Sequence, residues 1–229
     1  MFFFDSAYLW YVFIPTMVLS FGVQMYLKSQ FAKWSQIRNS AGMTGTQVGQ
    51  ALFARTALEA IPVQRIPGAL TDHFDPADNV VRLSDPVGGT PSVAAMAVTA
   101  HELGHVQQYQ THSPLIAMRT FLIPAVRFSP MLSYGLLMAG FFLNAVGLIW
   151  IGIAIFGLTV LFSLLTLPVE IDASMRGLRL LREAGLMQTS DDERGARSVL
   201  TAAALTYLAA LVTSVLTLLY YVSLAQRRN

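Results

Sequence analysis

The sequence predicts a mainly α membrane protein: about four transmembrane helices plus a polar helical lobe carrying a small β element. Three observations predict it. Of the 229 residues, 54% are hydrophobic and only 12% charged, with a mean hydropathy of +0.53. The apolar residues gather in long runs that carry no charge. Between the first two runs lies a polar stretch with strand-like residues, turn chemistry and the pentapeptide His101-Glu102-Leu103-Gly104-His105. The whole chain, residues 1–229, reads as one integral-membrane domain.

The first uncharged run, Ser6 to Leu27, suits one crossing, since a bilayer core needs about 20 helical residues. A leader peptide would need a basic start, a shorter apolar core and a small-residue cleavage site. Here Asp5 stands where basic residues belong and no such site follows Leu27, so an uncleaved anchor is expected. Phe128 to Val169 lacks any charge. At ~1.5 Å per residue it is about twice the ~30 Å hydrocarbon thickness. It therefore reads as two crossings joined by a tight turn near Asn144 to Gly147. Leu200 to Ala225 supplies the last. The expected spans are about residues 6–27, 122–143, 146–167 and 200–225.

The polar segments, 28–120 and 168–199, have their own local signals. Lys28 to Asn39 continues the first helix. Thr44 followed by Gln47 matches a capping box for a helix reaching about Ala60. Pro62 and Pro67 then oppose helix, and Val63 to Ser84 reads as strands interrupted by the Asp75-Pro76-Ala77-Asp78-Asn79 turn. Pro67 fits only an edge or a bulge. A helix from near Ser92 through Gln108 carries the pentapeptide. Gly104 inside it costs about 1 kcal/mol against Ala, so a close neighbour is expected there. Pro124 and Pro130 shape the entry to the second crossing. Glu170 to Glu183 reads as a helix ending at Gly185, and Ser190 with Glu193 as a capping box for the final one.

Charge sets the expected orientation. Of the 15 Lys and Arg residues, all but Arg227 and Arg228 fall in Lys28–Arg127 or Glu170–Arg197. Lys- and Arg-rich loops stay cytoplasmic, which places both polar segments inside and both termini outside. The absence of cysteine excludes disulfides, thiolate ligands and a Cys nucleophile. The net charge of +2 reflects loop bias, and no basic cluster with interleaved aromatics points to nucleic acid.

The pentapeptide carries the chemistry. Positions i and i+4 stack on one helical face, so the imidazoles of His101 and His105 converge. Neutral imidazoles suit Zn²⁺, and a catalytic site takes three protein ligands plus an open position. Glu102 projects about 100° around the same turn, beside the metal. That pattern reads as a zincin-like metalloprotease site with Glu102 as general base. Two histidines do not complete it. The candidates for a third ligand are His73, His112, Glu170 and Asp172. Two crossings return the chain to the side it left, so Glu170 emerges with His101. A carboxylate there, right after Pro168, would be costly near hydrocarbon, and a dication would offset the cost. Glu170 could instead mark the interface. Asp172 could orient an imidazole or pair with Arg176 one turn on. His73 could supply a ligand, a transition-state hydrogen bond or a turn. His112 reads as a surface residue, Arg119 and Arg127 as headgroup anchors. Tyr207 could steady an oxyanion or simply pack in the bundle.

At these residues the chain resembles the YugP-like neutral zinc metallopeptidases of bacterial membranes. The likeness rests on Leu70-Thr71-Asp72-His73-Phe74-Asp75-Pro76, Arg82-Leu83-Ser84, Ala100 to His105, Thr166 to Ser174 and Ala202 to Tyr207. It covers most of the chain. More distantly the layout is similar to HtpX-like and CAAX-prenyl membrane proteases, where a downstream Glu completes a gluzincin site. Those relatives place Asp four residues after that Glu, a position held here by Ser174; Asp172 is a candidate substitute.

The expected function is a zinc metalloendopeptidase of the bacterial inner membrane. One Zn²⁺ would be held by His101, His105 and Glu170, with Glu102 as catalytic base and the site facing the cytoplasm. Its partners would be a protein or peptide substrate and the lipid bilayer, with no nucleic acid; a membrane-complex partner or a second copy is compatible. An edge strand around Val63–Leu70 or Val80–Leu83 could hold substrate extended. The alternative is a non-catalytic membrane scaffold or complex subunit with structural zinc. Structural sites are closed and usually cysteine-rich, unlike this chain. A chance motif on a transporter-like bundle is the remaining option.

Overall fold

The computed structural model describes residues 6–227. Asp5 and Arg228, both used above, lie outside them. The element order is α1 (Ser6–Ser35), α2 (Gly45–Arg55), β1 (Val63–Ile66), β2 (His73–Asp75), β3 (Val80–Ser84), α3 (Asp85–Gly88), α4 (Val93–Gln110), α5 (Pro114–Phe142), α6 (Val146–Glu183) and α7 (Ser190–Gln226). A π turn at Leu9–Phe13 interrupts α1. Helices α1, α5, α6 and α7 are each long and apolar enough to cross a membrane. The protein is a mainly α membrane protein with a small three-stranded sheet.

Two compact units divide the chain. Among the described residues, one is 6–23, Ala117–Pro168 and 206–227; the other is Gln24–Ile116 and Val169–Leu205.

The first unit is apolar. Its α5–α6 hairpin turns through Asn144, whose φ of 48° is left-handed, a conformation Asn tolerates better than most residues. Leu137 and Ile149 are fully buried there. The Ser133 hydroxyl donates to Gly152 O at 2.8 Å, and Ser129 bonds Thr159 at 2.9 Å, as polar side chains do between apolar helices. Helix α5 begins at Pro114 and runs through Pro124 and Pro130, earlier than the composition suggests. Pro is welcome in a first turn, and apolar helix surroundings let neighbouring groups compensate for an interior one. For the same reason α6 does not break at Pro168: the third crossing and the Glu170–Glu183 helix are one element.

The second unit is built on a sheet of order β1-β3-β2, with β1 parallel and β2 antiparallel to β3. β3 is therefore central and buried along Val80, Val81, Leu83 and Ser84. The expectation that Val80–Leu83 offers a free edge is wrong; the edges are β1 and β2. Pro67 falls just beyond β1, where it removes no ladder bond. Fully buried Val48, Leu52, Leu83, Met96, Leu103 and Leu181 form one core between α2, the sheet, α4 and α6. Thr44 and Gln47 make the reciprocal capping bonds that start α2, and Ser92 caps α4 by accepting from Ala95 N. At α7 the capping pair sits one residue earlier than expected. Thr189 Oγ1 accepts from Asp192 N at 3.2 Å, and Asp192 Oδ2 from Thr189 N at 3.0 Å. Asp192 is fully buried and also accepts from Ser40 N, whereas Glu193 turns to Arg182 and Arg197.

Candidate metal centre

The site is assembled where α4 crosses the C-terminal part of α6. Glycine makes that crossing possible on both sides. A Cβ at Gly104 would lie 2.1 Å from Ala173 O, and one at Gly177 would lie 2.5 Å from Ala100 O. Neither helix could approach so closely with a side chain present.

The close approach delivers Glu170 to the two imidazoles. His101 and His105 stack along α4 with ring centroids 4.8 Å apart and planes at 82°. Glu170 Oε2 lies 3.3 Å from His101 Nε2 and 3.4 Å from His105 Nε2. One donor atom from each residue lies within 4.8 Å of the others. Metal–ligand bonds of about 2.0–2.2 Å in a tetrahedron imply ligand atoms roughly 3.3–3.5 Å apart. The two carboxylate–imidazole separations fall there, and the donor set of two imidazoles and a carboxylate suits zinc. The residues present fit the ion.

The opposite ring nitrogens are anchored. His101 Nδ1 meets Ser174 Oγ at 3.1 Å, and His105 Nδ1 meets Gln108 Oε1 at 3.0 Å. Gln108 Nε2 in turn donates to Val169 O at 2.9 Å and Asp172 Oδ2 at 2.7 Å. Arg176 Nε donates to the same Asp172 oxygen at 2.7 Å. Both imidazoles thus turn Nε2 toward Glu170.

Glu102 is almost fully buried, and its Oε2 accepts from the backbone N–H of Phe74 at 3.0 Å. Strand β2 therefore runs past the pentapeptide helix and presents an amide to Glu102. That strand is held from behind by Asp72, which accepts from Ser84 N at 2.7 Å and Ser84 Oγ at 3.0 Å. Burial pushes the Asp72 carboxyl above the usual carboxylate range, and the Ser84 bonds offset this only in part. For His105, burial disfavours the charged ring, but the bond to Glu170 and the charges of Glu102 and Glu170 outweigh it and raise its pKa.

His101, Glu102, His105 and Glu170 thus come together. His73 does not join them. It is exposed on β2, bonds Thr71 O through Nδ1 at 2.8 Å, and pairs across the sheet with Arg82. His112 is exposed past the end of α4 with φ of 52°. Asp172 touches no imidazole directly; Ser174, the position that departs from the gluzincin pattern, does. Tyr207 lies on α7 in the apolar unit. Sequence reasoning missed Gln108 and the Phe74 amide. Gln108 had one readable signal, its position three residues after His105 on the same helix, whereas a backbone donor leaves none.

A family model described as "Putative neutral zinc metallopeptidase" matches residues 9–226. The chain is also similar to "Putative membrane protease YugP" of Bacillus subtilis (strain 168), at 38% identity over 209 residues, covering 91% of this chain and 92% of that protein. No solved structure matches.

Proposed function

The chain belongs to the neutral zinc metallopeptidase family, and on that premise we propose a membrane endopeptidase that cuts membrane or membrane-proximal proteins at the cytoplasmic face. His101, His105 and Glu170 would hold the zinc. The convergence of three donors carries this reading: among the described residues they are the one group of His, Asp or Glu side chains placed to share an ion. Three protein ligands leave a position open for water or substrate, as catalytic sites require.

Bound there, zinc would act as a Lewis acid on a peptide carbonyl and bring a water's pKa toward ~7. Glu102 accepts the proton of the attacking water and returns it to the leaving amine nitrogen. The Phe74 N–H fixes one of its oxygens and leaves the other for the proton. Low exposure of Glu102 and Glu170 keeps bulk water from screening these charges. Strand β2 is an edge of the sheet beside Glu102; its Phe74 N–H is taken by that carboxylate, which leaves the outward carbonyl to align an extended substrate chain. The Lys- and Arg-rich polar segments support the cytoplasmic assignment.

Glu102→Gln tests the chemistry. The variant should keep zinc and lose cleavage of an unfolded protein substrate in detergent by about 10²-fold or more, the general-base contribution. Undiminished cleavage would refute the mechanism.

A further inference from the structure

Gln108 is completely buried in a helix whose other inward residues are mostly small or apolar. A carboxamide costs free energy in such a place unless its donors and acceptor are satisfied. All are, and the arrangement is directional. Its Nε2 faces two groups that can only accept, Val169 O and the Asp172 carboxylate. The amide therefore cannot be turned over, and Oε1 must be the atom that meets His105 Nδ1. Because Oε1 can only accept, Nδ1 must carry the hydrogen. Nε2 is then the nitrogen whose lone pair is available to a metal ion held together with Glu170.

The orientation of Gln108 is itself held from two sides. Val169 belongs to the last turn before Glu170, so the same carboxamide ties the His105 ring to the backbone that delivers the third ligand. Asp172 is kept in place by Arg176 Nε at 2.7 Å. The Arg176 guanidinium is in turn bonded to Gln107 and Thr111 near the end of α4. His101 has no such directional partner: the Ser174 hydroxyl can donate or accept.

We propose that Gln108, clamped by Asp172 and Val169 O, is a positioning residue that fixes the tautomer and ring orientation of His105 for metal binding. The inference rests on the ligand set proposed above. It assigns the two imidazoles different roles, one locked by a one-way hydrogen-bond chain and one held by an adaptable hydroxyl. Partners of ligand histidines typically change metal affinity by about 10–100-fold when removed.

The test uses the full chain in detergent and reads zinc affinity by chelator competition for wild type, His105→Ala, Gln108→Met and Asp172→Asn, with helicity and thermal unfolding measured alongside. Gln108→Met should weaken zinc by about 10–100-fold. Asp172→Asn, which keeps an acceptor for Gln108 but removes its charge, should weaken it by a smaller factor. Should Gln108→Met fail to fold, the Asp172→Asn value and the imidazole ¹⁵N spectrum of zinc-loaded wild type decide. That spectrum should show His105 protonated at Nδ1 and metal-bound at Nε2. Unchanged affinity in both Gln108→Met and Asp172→Asn, or a zinc bond at His105 Nδ1, would overturn the proposal while leaving the ligand set intact. Full affinity in His105→Ala would instead overturn the ligand set, and this inference with it.

Discussion

The missing Cβ of Gly104 would stand 2.1 Å from the carbonyl oxygen of Ala173. That one relationship sets how near α4 can come to α6, and so whether Glu170 reaches the imidazoles. Gly104→Ala should therefore damage the site more than its small size suggests. Helix propensity alone would favour Ala by about 1 kcal/mol, but the clash is with backbone on both sides. We expect net destabilisation of about 1–3 kcal/mol, the usual cost of overpacking, with a measurable loss of zinc affinity. Thermal unfolding and zinc titration check it; a more stable variant with full affinity would contradict the packing argument.

Phe74 is expected to matter through its amide more than its ring. Its N–H goes to Glu102, not to the β3 ladder. Phe74→Pro removes that donor without breaking a strand bond, whereas Phe74→Ala keeps the donor and removes the ring. A hydrogen bond to a charged group contributes about 1.5–3 kcal/mol, so Phe74→Pro should lower kcat by roughly tenfold or more beyond Phe74→Ala. Equal kcat in the two variants would dismiss the role.

The Ser174 hydroxyl meets His101 Nδ1 at 3.1 Å. Ser174→Ala should weaken zinc binding by about 10–100-fold, as loss of such partners does. Ser174→Asp should preserve or tighten it, because a carboxylate raises imidazole basicity. Chelator competition reads both, and stronger binding by Ser174→Ala would reverse the assignment.

Asp72 makes a local contribution to the pH dependence of folding. The Asp72 carboxyl lies above its ordinary range because of burial. The folded state thus binds this proton more tightly than the unfolded state, whose value is about 3.9. Its stabilising contribution is full below that value and is lost as pH rises through the folded-state pKa. Asn at this position can still accept from Ser84 and does not ionise. The stability of Asp72→Asn relative to wild type should therefore increase from pH 4 to pH 7 in denaturant melts. A relative stability that falls over that range would contradict the assignment.

The membrane helices were legible because uncharged length is a one-dimensional signal, and the Asn144 turn followed from the bilayer's thickness. The convergence of His101 and His105 was legible because i, i+4 spacing is a property of the helix itself. Glu170 could be nominated from the hairpin that returns the chain, but its contact depends on Gly104 and Gly177, whose pairing no local pattern announces. The strand order was not legible: Val80–Leu83 is the most hydrophobic strand because it is central, and its composition does not say which neighbours cover it. The α7 cap sits at Thr189 and not at Ser190 because buried Asp192 serves both the cap and the Ser40 amide. Gln108 shows the same limit, since a polar residue on an apolar helix face can be read only when its partners are in view.

The zinc content of Glu170→Ala, beside wild type and Glu102→Gln, tests the central claim most directly. Wild type and Glu102→Gln should hold one zinc per chain after dialysis against a weak chelator, and Glu170→Ala should hold almost none while keeping its helicity. Retention of one tightly bound zinc by Glu170→Ala would show that the carboxylate 3.3 Å from His101 Nε2 is not a ligand.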